Sequence, residues 1–257
     1  MDVAMRKDMK YVSGVLLSAA LLLTACKPDQ AVEQSSNFDR NQPAKILTGV
    51  LSGAISFAGR APAPVKIDMS MDPACSMTGG DNYSEQYVVH DGKLANVFVY
   101  VKPAAGMVFT TSDQPVVLDQ KGCRYTPHVI GVAVGQPVEF RNSDPTMHNV
   151  HIMPMVDGND TMDVTEVPNG HPQWKQFSKP ELMVPVRGNN HPWMNAFINV
   201  SPTPYFAVSD ADGHFEIKGL PPGNYTLGAV HEKLGEQTQT VTVAGPATVT
   251  ANFTFSK

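Results

Sequence analysis

From residue 46 onward, apolar and polar positions alternate in short runs with a period of two, the pattern of half-buried strands. Residues 51–57 alternate and stop at Ala58-Gly59. Residues 94–101 set Ala95, Val97, Val99 and Val101 on one face, and Leu94, Asn96, Phe98 and Tyr100 on the other. Residues 129–134 and 138–140 read as strands separated by Gly135-Gln136-Pro137, and Asn142-Ser143-Asp144-Pro145 marks the next turn. A short strand over 148–152 puts His148 and His151 on opposite faces, because strand side chains alternate. Residues 154–180, with Gly158, Pro168, Gly170 and Pro172, read as a long loop carrying short strand pieces. Strands at 182–186 and 196–200 lead into and out of the segment around His191.

The tail keeps the same period. Residues 206–217 alternate through Phe215 and Ile217, Gly219-Leu220-Pro221-Pro222-Gly223 makes a tight turn, and 225–230 returns. Two more strands, 238–243 and 249–255, follow; the last sets Val249, Ala251, Phe253 and Phe255 on one face. No stretch after residue 25 holds a helical period over three turns, so the chain reads as all-β. Composition agrees: 20 Gly and 21 Pro among 257 residues favour a turn-rich β protein of one large or two modest domains. Charged residues make up 17% and the net charge is -5, which leaves no basic footprint for a nucleic acid.

The first 25 residues are excluded from the fold. Arg6, Lys7 and Lys10 form a basic region, residues 11–23 are a short apolar run, and Leu23-Thr24-Ala25 supplies a small-residue cleavage site. The run is too short to span a bilayer comfortably. A Cys directly after Leu-Thr-Ala resembles a bacterial lipobox, which implies that Cys26 carries lipid and heads the mature chain. Lys27, where an Asp would signal inner-membrane retention, implies an outer-membrane anchor facing the periplasm. Residues 26–46 are polar and read as a flexible tether.

Cys75 and Cys123 remain. In an oxidising compartment a single disulfide is the economical reading, with service as a metal thiolate the alternative. The chemistry-bearing stretches are Met147-His148-Asn149-Val150-His151 and Gly188-Asn189-Asn190-His191-Pro192-Trp193-Met194. His151 joins His148 as a ligand only if its strand is bulged. Met147, Met153 and Met155 flank the histidines, and Met69, Met71 and Met77 cluster upstream. They read as core fillers first and soft-metal ligands second. Trp193 reads as a shield over the His191 loop.

These stretches carry a resemblance. Val134-Gly135-Gln136-Pro137-Val138-Glu139-Phe140-Arg141-Asn142, then Met147-His148-Asn149, Phe177-Ser178-Lys179-Pro180 and His191-Pro192-Trp193-Met194 together resemble a plastocyanin-like cupredoxin. The resemblance implies a copper site with His148 and His191 as imidazole ligands and Met194 as the axial thioether. A blue-copper site also needs a thiolate in the trigonal plane. The position three before His191, where the resemblance calls for Cys, is Gly188. Two imidazoles with a thioether suit Cu(I), or a labile Cu(II) site completed by water.

The tail resembles a carboxypeptidase regulatory-like domain through Asp210-Ala211-Asp212-Gly213-His214-Phe215-Glu216-Ile217 and Leu220-Pro221-Pro222-Gly223-Asn224-Tyr225. The opening strand usual in such domains is missing from the tail, and residues 49–57 look like it. The sequence therefore divides into a cupredoxin-like Greek-key sandwich over 47–200 and a smaller regulatory-like β-sandwich over 201–257, with the strand at 47–58 pairing with the tail. Asp210 to Gly213 reads as a β-turn rather than a calcium loop.

His90, His128, His171 and His214 read as surface or satisfied structural residues, and His231-Glu232 as a strand-end contact with the central domain. No nucleophile elbow, phosphate loop or His-Glu-x-x-His motif occurs, so the chain carries no enzyme signature. The expectation is a lipid-anchored periplasmic protein that binds copper weakly through His148, His191 and Met194, in copper handling or beside a redox protein. The alternative is a metal-free module whose sandwich binds carbohydrate or a protein partner.

Overall fold

The computed structural model describes residues 47–257 apart from Gly79, Ala105, Gly106 and Val108; the leader, Cys26 and the tether lie outside the described residues. Strands β1 (Gly49–Ala58), β2 (Val89–His90), β3 (Lys93–Leu94), β4 (Phe98–Val101), β5 (Val116–Gln120) and β6 (Tyr125–Thr126) come first. They are followed by β7 (Val129–Ala133), β8 (Val138–Asn142), β9 (His148–Ile152), β10 (Met162–Glu166), β11 (Gln173–Lys175), β12 (Glu181–Arg187) and β13 (Asn195–Ser201). The tail supplies β14 (Phe206–Val208), β15 (His214–Leu220), β16 (Gly223–His231), β17 (Gly235–Val243), β18 (Thr248–Thr250) and β19 (Phe253–Ser256). Among the described residues the single α-helix is α1 (Pro73–Thr78), and no helix is long and apolar enough to cross a membrane.

Four sheets make two sandwiches. In the first, β15-β1-β3-β2, with β18 and β19 also on β1, faces β14-β4-β16-β17. Its core holds Leu51, Ile55, Phe57, Val97, Val99, Val101, Phe215, Leu227, Phe253 and Phe255. In the second, β10-β9-β12-β13-β7 faces β11-β8-β5-β6 over Leu118, Tyr125, Ile130, Phe140, Val150, Phe177, Ile198 and Met194.

The sequence reading set residues 94–101 in the cupredoxin-like part, but β4 pairs with β14 and β16 of the tail. The strand at 47–58 pairs antiparallel with β15 and parallel with β18 and β19. Strands from both ends of the chain thus build one sandwich, and the second is made from residues 116–201 between them.

A third apolar cluster joins the two sandwiches. The period of two sends Val97, Val99 and Val101 into the first core, while Phe98 and Tyr100 point the other way and meet Val129, Phe197, Phe206 and Val230. Hence β4 is buried on both faces. Gly131 is required at this junction: a Cβ there would lie 2.5 Å from the Phe98 ring and 2.7 Å from that of Phe206.

The polar complement of the junction is His128 and Glu232. His128 Nε2 lies 2.7 Å from Glu232 Oε1 and its Nδ1 lies 3.1 Å from the Asn195 carbonyl, so the ring is satisfied at both nitrogens. Asn195 immediately follows Met194, which ties the end of the His191 loop to the tail sandwich. In the tail, Asp210 Oδ1 accepts from the backbone N–H groups of Asp212 and His214, the hydrogen bonding of a turn.

Candidate metal centre

His148 opens β9, and alternation along β9 turns it to the same side as Val150 and Ile152 of the second core. His191 sits in the seven-residue loop between β12 and β13. Two backbone bonds close that loop: Met194 N–H donates to His191 C=O at 2.8 Å, and Gly188 N–H donates to Met194 C=O at 3.1 Å. Asn149 fastens the loop to β9, its Oδ1 accepting from Asn189 N–H at 3.0 Å while its Nδ2 donates to Asp163 and to Val164 C=O. The two histidine rings meet edge to face, with Nδ1 3.0 Å from Nδ1. Met194 is fully buried, as is His148.

Each ring's other nitrogen is held by a carboxylate. His148 Nε2 lies 2.8 Å from Asp144 Oδ2, and His191 Nε2 lies 2.7 Å from Asp72 Oδ2. Burial pushes the Asp144 carboxyl up, but the His148 bond and the backbone N–H groups of Cys123 and Gly122 outweigh it and hold it below the usual range. Burial likewise acts against Asp72, and the bonds from His191, Cys75 N–H and Ala74 N–H hold it below that range too.

An ionised carboxylate accepts and cannot donate, so each Nε2 donates to its aspartate and the two Nδ1 atoms are left facing each other. Two lone pairs facing each other at 3.0 Å repel unless a shared cation, a proton or a metal, lies between them. A histidine held by a carboxylate at its far nitrogen is the usual support of an imidazole metal ligand. The residues present therefore fit a metal.

Neither aspartate is singled out by a sequence motif. Both precede a proline, and Asp72 is the N-cap of α1, accepting from Ala74 and Cys75 N–H at 2.8 and 3.2 Å. That signal marks a helix start and says nothing of the ring 119 residues away.

Cys75 and Cys123 are joined in a disulfide. It abuts the pair, Cys75 Sγ standing 3.8 Å from His191 Nε2. Trp193 packs its ring 5.1 Å from that of His191 and donates to Cys123 C=O, as a shield would. His151 leaves the site: it faces away from His148 and bonds Asn189 Oδ1 at 3.1 Å. The methionines divide. Met69 is buried and accepts from Asn82, whereas Met71, Met77 and Met155 are exposed in turns, on the outer face of α1 and in a loop, not in core gaps. Gly188 is buried, and no thiolate enters the loop there.

The family model for the carboxypeptidase regulatory-like domain matches residues 186–256. The match opens inside β12, upstream of residue 201, and so takes in the His191 loop. A comparison with curated proteins returned no match.

Among solved structures, similar folds include a copper-containing nitrite reductase from Thermus scotoductus SA-01, at 24% identity over 39% of this chain and 25% of that chain, with a TM-score of 0.32. The match spans a quarter of that enzyme. A Cu(I) amicyanin mutant matches at 21% identity over 35% of this chain and 86% of its own, with a TM-score of 0.31. A purple cupredoxin from Nitrosopumilus maritimus matches at 17% identity over 35% of this chain and 100% of its own, with a TM-score of 0.29. At TM-scores near 0.3 these likenesses carry no argument about this chain.

Proposed function

We propose that this chain is a non-catalytic copper-binding protein whose site is the His148–His191 pair completed by Met194, with no thiolate in the loop. The observation that carries the reading is the pair of Nδ1 atoms 3.0 Å apart, each ring held by a carboxylate on the opposite nitrogen. Two imidazoles and a thioether favour copper over hard cations, which prefer oxygen. Bound there, copper would supply a one-electron couple.

The protein's own contribution is positional. Asp144 and Asp72 keep the proton on Nε2 and set the ring planes, Asn149 holds the loop against β9, and Trp193 limits water at His191. Without thiolate covalency the site suits copper handling or support of a redox partner better than rapid electron transfer. The leader belongs to the same proposal, with Cys26 lipidated and the chain held at the periplasmic side of a bacterial outer membrane.

The test is copper titration of the full-length chain against a chromogenic chelator. One copper per chain is expected, lost in His191→Ala and weakened about 10–100-fold in Asp144→Asn, the range for removing a support of a metal-bound histidine. Uptake in His148→Ala/His191→Ala equal to that of the parent overturns the reading.

A further inference from the structure

The two half-cystines stand behind the histidine pair in the same way. Cys75 N–H donates to Asp72 Oδ1 at 3.2 Å and Cys123 N–H to Asp144 Oδ2 at 2.7 Å. Each of these carboxylates holds the Nε2 of one ring. The disulfide thus closes a frame that joins one carboxylate to the other through two backbone N–H groups. Cys75 Sγ lies 3.8 Å from His191 Nε2, on the carboxylate side of the ring, whereas the two Nδ1 atoms face each other on the other side. The cystine therefore reaches the pair through the aspartates and not as a ligand.

The two halves of the frame are not equally tied. Asp144 belongs to the second sandwich: its N–H donates to Asn142 Oδ1 at 3.0 Å, and its Oδ1 accepts from Gly122 N–H at 2.7 Å. Those bonds do not involve the disulfide. Asp72 comes from residues 59–88, which run between β1 and β2 with α1 and one bridge, Lys66 to Tyr83, as their regular structure. Its second backbone donor, Ala74 N–H, lies in the same segment. Toward the second sandwich Asp72 meets His191 and, at 3.4 Å, Thr146 Oγ1. Further polar ties of the segment, Asn82 Nδ2 to Gly122 C=O at 2.9 Å and Glu85 to Arg124 at 3.5 Å, come after α1. The disulfide is what fastens α1 itself covalently.

We propose that the Cys75–Cys123 cystine is a positioning element of the metal centre: it holds Asp72 against His191, and breaking it frees that ring while the Asp144–His148 half stays in place. Where it concerns copper affinity, the proposal rests on the reading of the pair as copper ligands. Forming the S–S bond takes two electrons and two protons from the Cys75 and Cys123 thiols, and a disulfide oxidant accepts them as it becomes a dithiol. Oxidation of the chain is then the step that completes the site and precedes full-strength copper loading.

The experiment compares Cys75→Ala/Cys123→Ala with the parent, both full-length. In the metal-free proteins, NMR of the imidazole nitrogens follows the Nε2 protons of the two rings. Both should exchange slowly with water in the parent. In the variant His191 should lose that protection, while His148 and the β9 amides keep theirs. Competition for Cu(II) with a chromogenic chelator should show affinity weakened about 10–100-fold, the range for a metal-bound histidine that loses its support. Asp72→Asn should weaken it as much, and the Ala pair combined with Asp72→Asn no further, because both act through one contact. The Ala pair combined with Asp144→Asn should weaken it further. If the Ala variant does not fold, proton exchange in the metal-free parent before and after dithiothreitol reduction decides.

Unchanged protection of His191, or loss of both rings' protection together, overturns the proposal. So does an effect of the Ala pair that multiplies with that of Asp72→Asn. A parent that retains no copper removes the copper reading instead, and the metal-free exchange comparison still judges the cystine.

Discussion

His148 Nδ1 and His191 Nδ1 face each other across 3.0 Å, while their Nε2 atoms point away to Asp144 and Asp72. The arrangement orients both rings at once and leaves two Nδ1 atoms converging on one point. Gly188 N–H closes the loop that presents His191.

Gly188→Cys should restore the thiolate. Its Cβ would lie 3.0 Å from His191 O and 3.3 Å from Met194 Cβ, so the loop must yield slightly. A stability loss of about 1 kcal/mol is expected. With Cu(II), an intense visible thiolate-to-copper absorption should appear that the parent lacks; the spectrum of the loaded variant reads it directly.

Asn149→Ala should loosen the His191 loop. It strands Asn189 N–H and removes the bonds to Asp163 and Val164, all near a buried side chain. A loss of about 1–3 kcal/mol is expected, the range for leaving buried polar groups unpaired. The urea midpoint should fall at unchanged slope, and copper should bind more weakly.

Glu232→Ala should be costlier than Glu232→Gln. The His128 and Glu232 side chains are 2% and 3% exposed, so removing the carboxylate leaves a buried ring nitrogen without its partner. Breaking a buried pair from one side costs about 3–5 kcal/mol. Gln retains an acceptor for His128 Nε2 and should lose less in the same denaturation measurement.

His231 should make the fold acid-sensitive. Burial, the largest influence, lowers its pKa from 6.5 to about 4; Glu232 opposes this, and His128 and Lys233 add to it. The ring lies among Tyr87 and Phe255, its Nδ1 accepts from Lys233 N–H, and its Nε2 has no hydrogen-bond partner among the described residues. Because the folded value lies below the unfolded one, the unfolded chain takes up the proton first as pH falls. Stability should decline from about pH 6.5 toward pH 4, by at most about 1.4 kcal/mol per pH unit, and this contribution should level off below. Denaturation across that range should show a shallower decline in His231→Gln.

The period of two carried most of the strands, since burial of one face leaves its mark on each run. It set His148 and His151 on opposite faces of β9, where they stand. It could not say which sheet a strand joins. β4 has apolar side chains on both faces because it lies between two cores, and nothing local distinguishes that from a strand inside a single sandwich.

The aspartates were hidden for a related reason. Asp144 is four residues from its histidine but sits in a turn, where Asp is common for backbone reasons. Asp72 reaches His191 only through the fold. Gly188, by contrast, was legible at once, because it stands in a short segment whose other residues define its expected partner.

The most direct test of the central claim is electron paramagnetic resonance of the full-length oxidised chain carrying one equivalent of Cu(II). The account predicts a single copper species coupled to two imidazole nitrogens, without the narrow hyperfine splitting of a thiolate site, and lost in both His148→Ala and His191→Ala. Copper that gives the same spectrum in those variants, or that stays free in the parent, contradicts it.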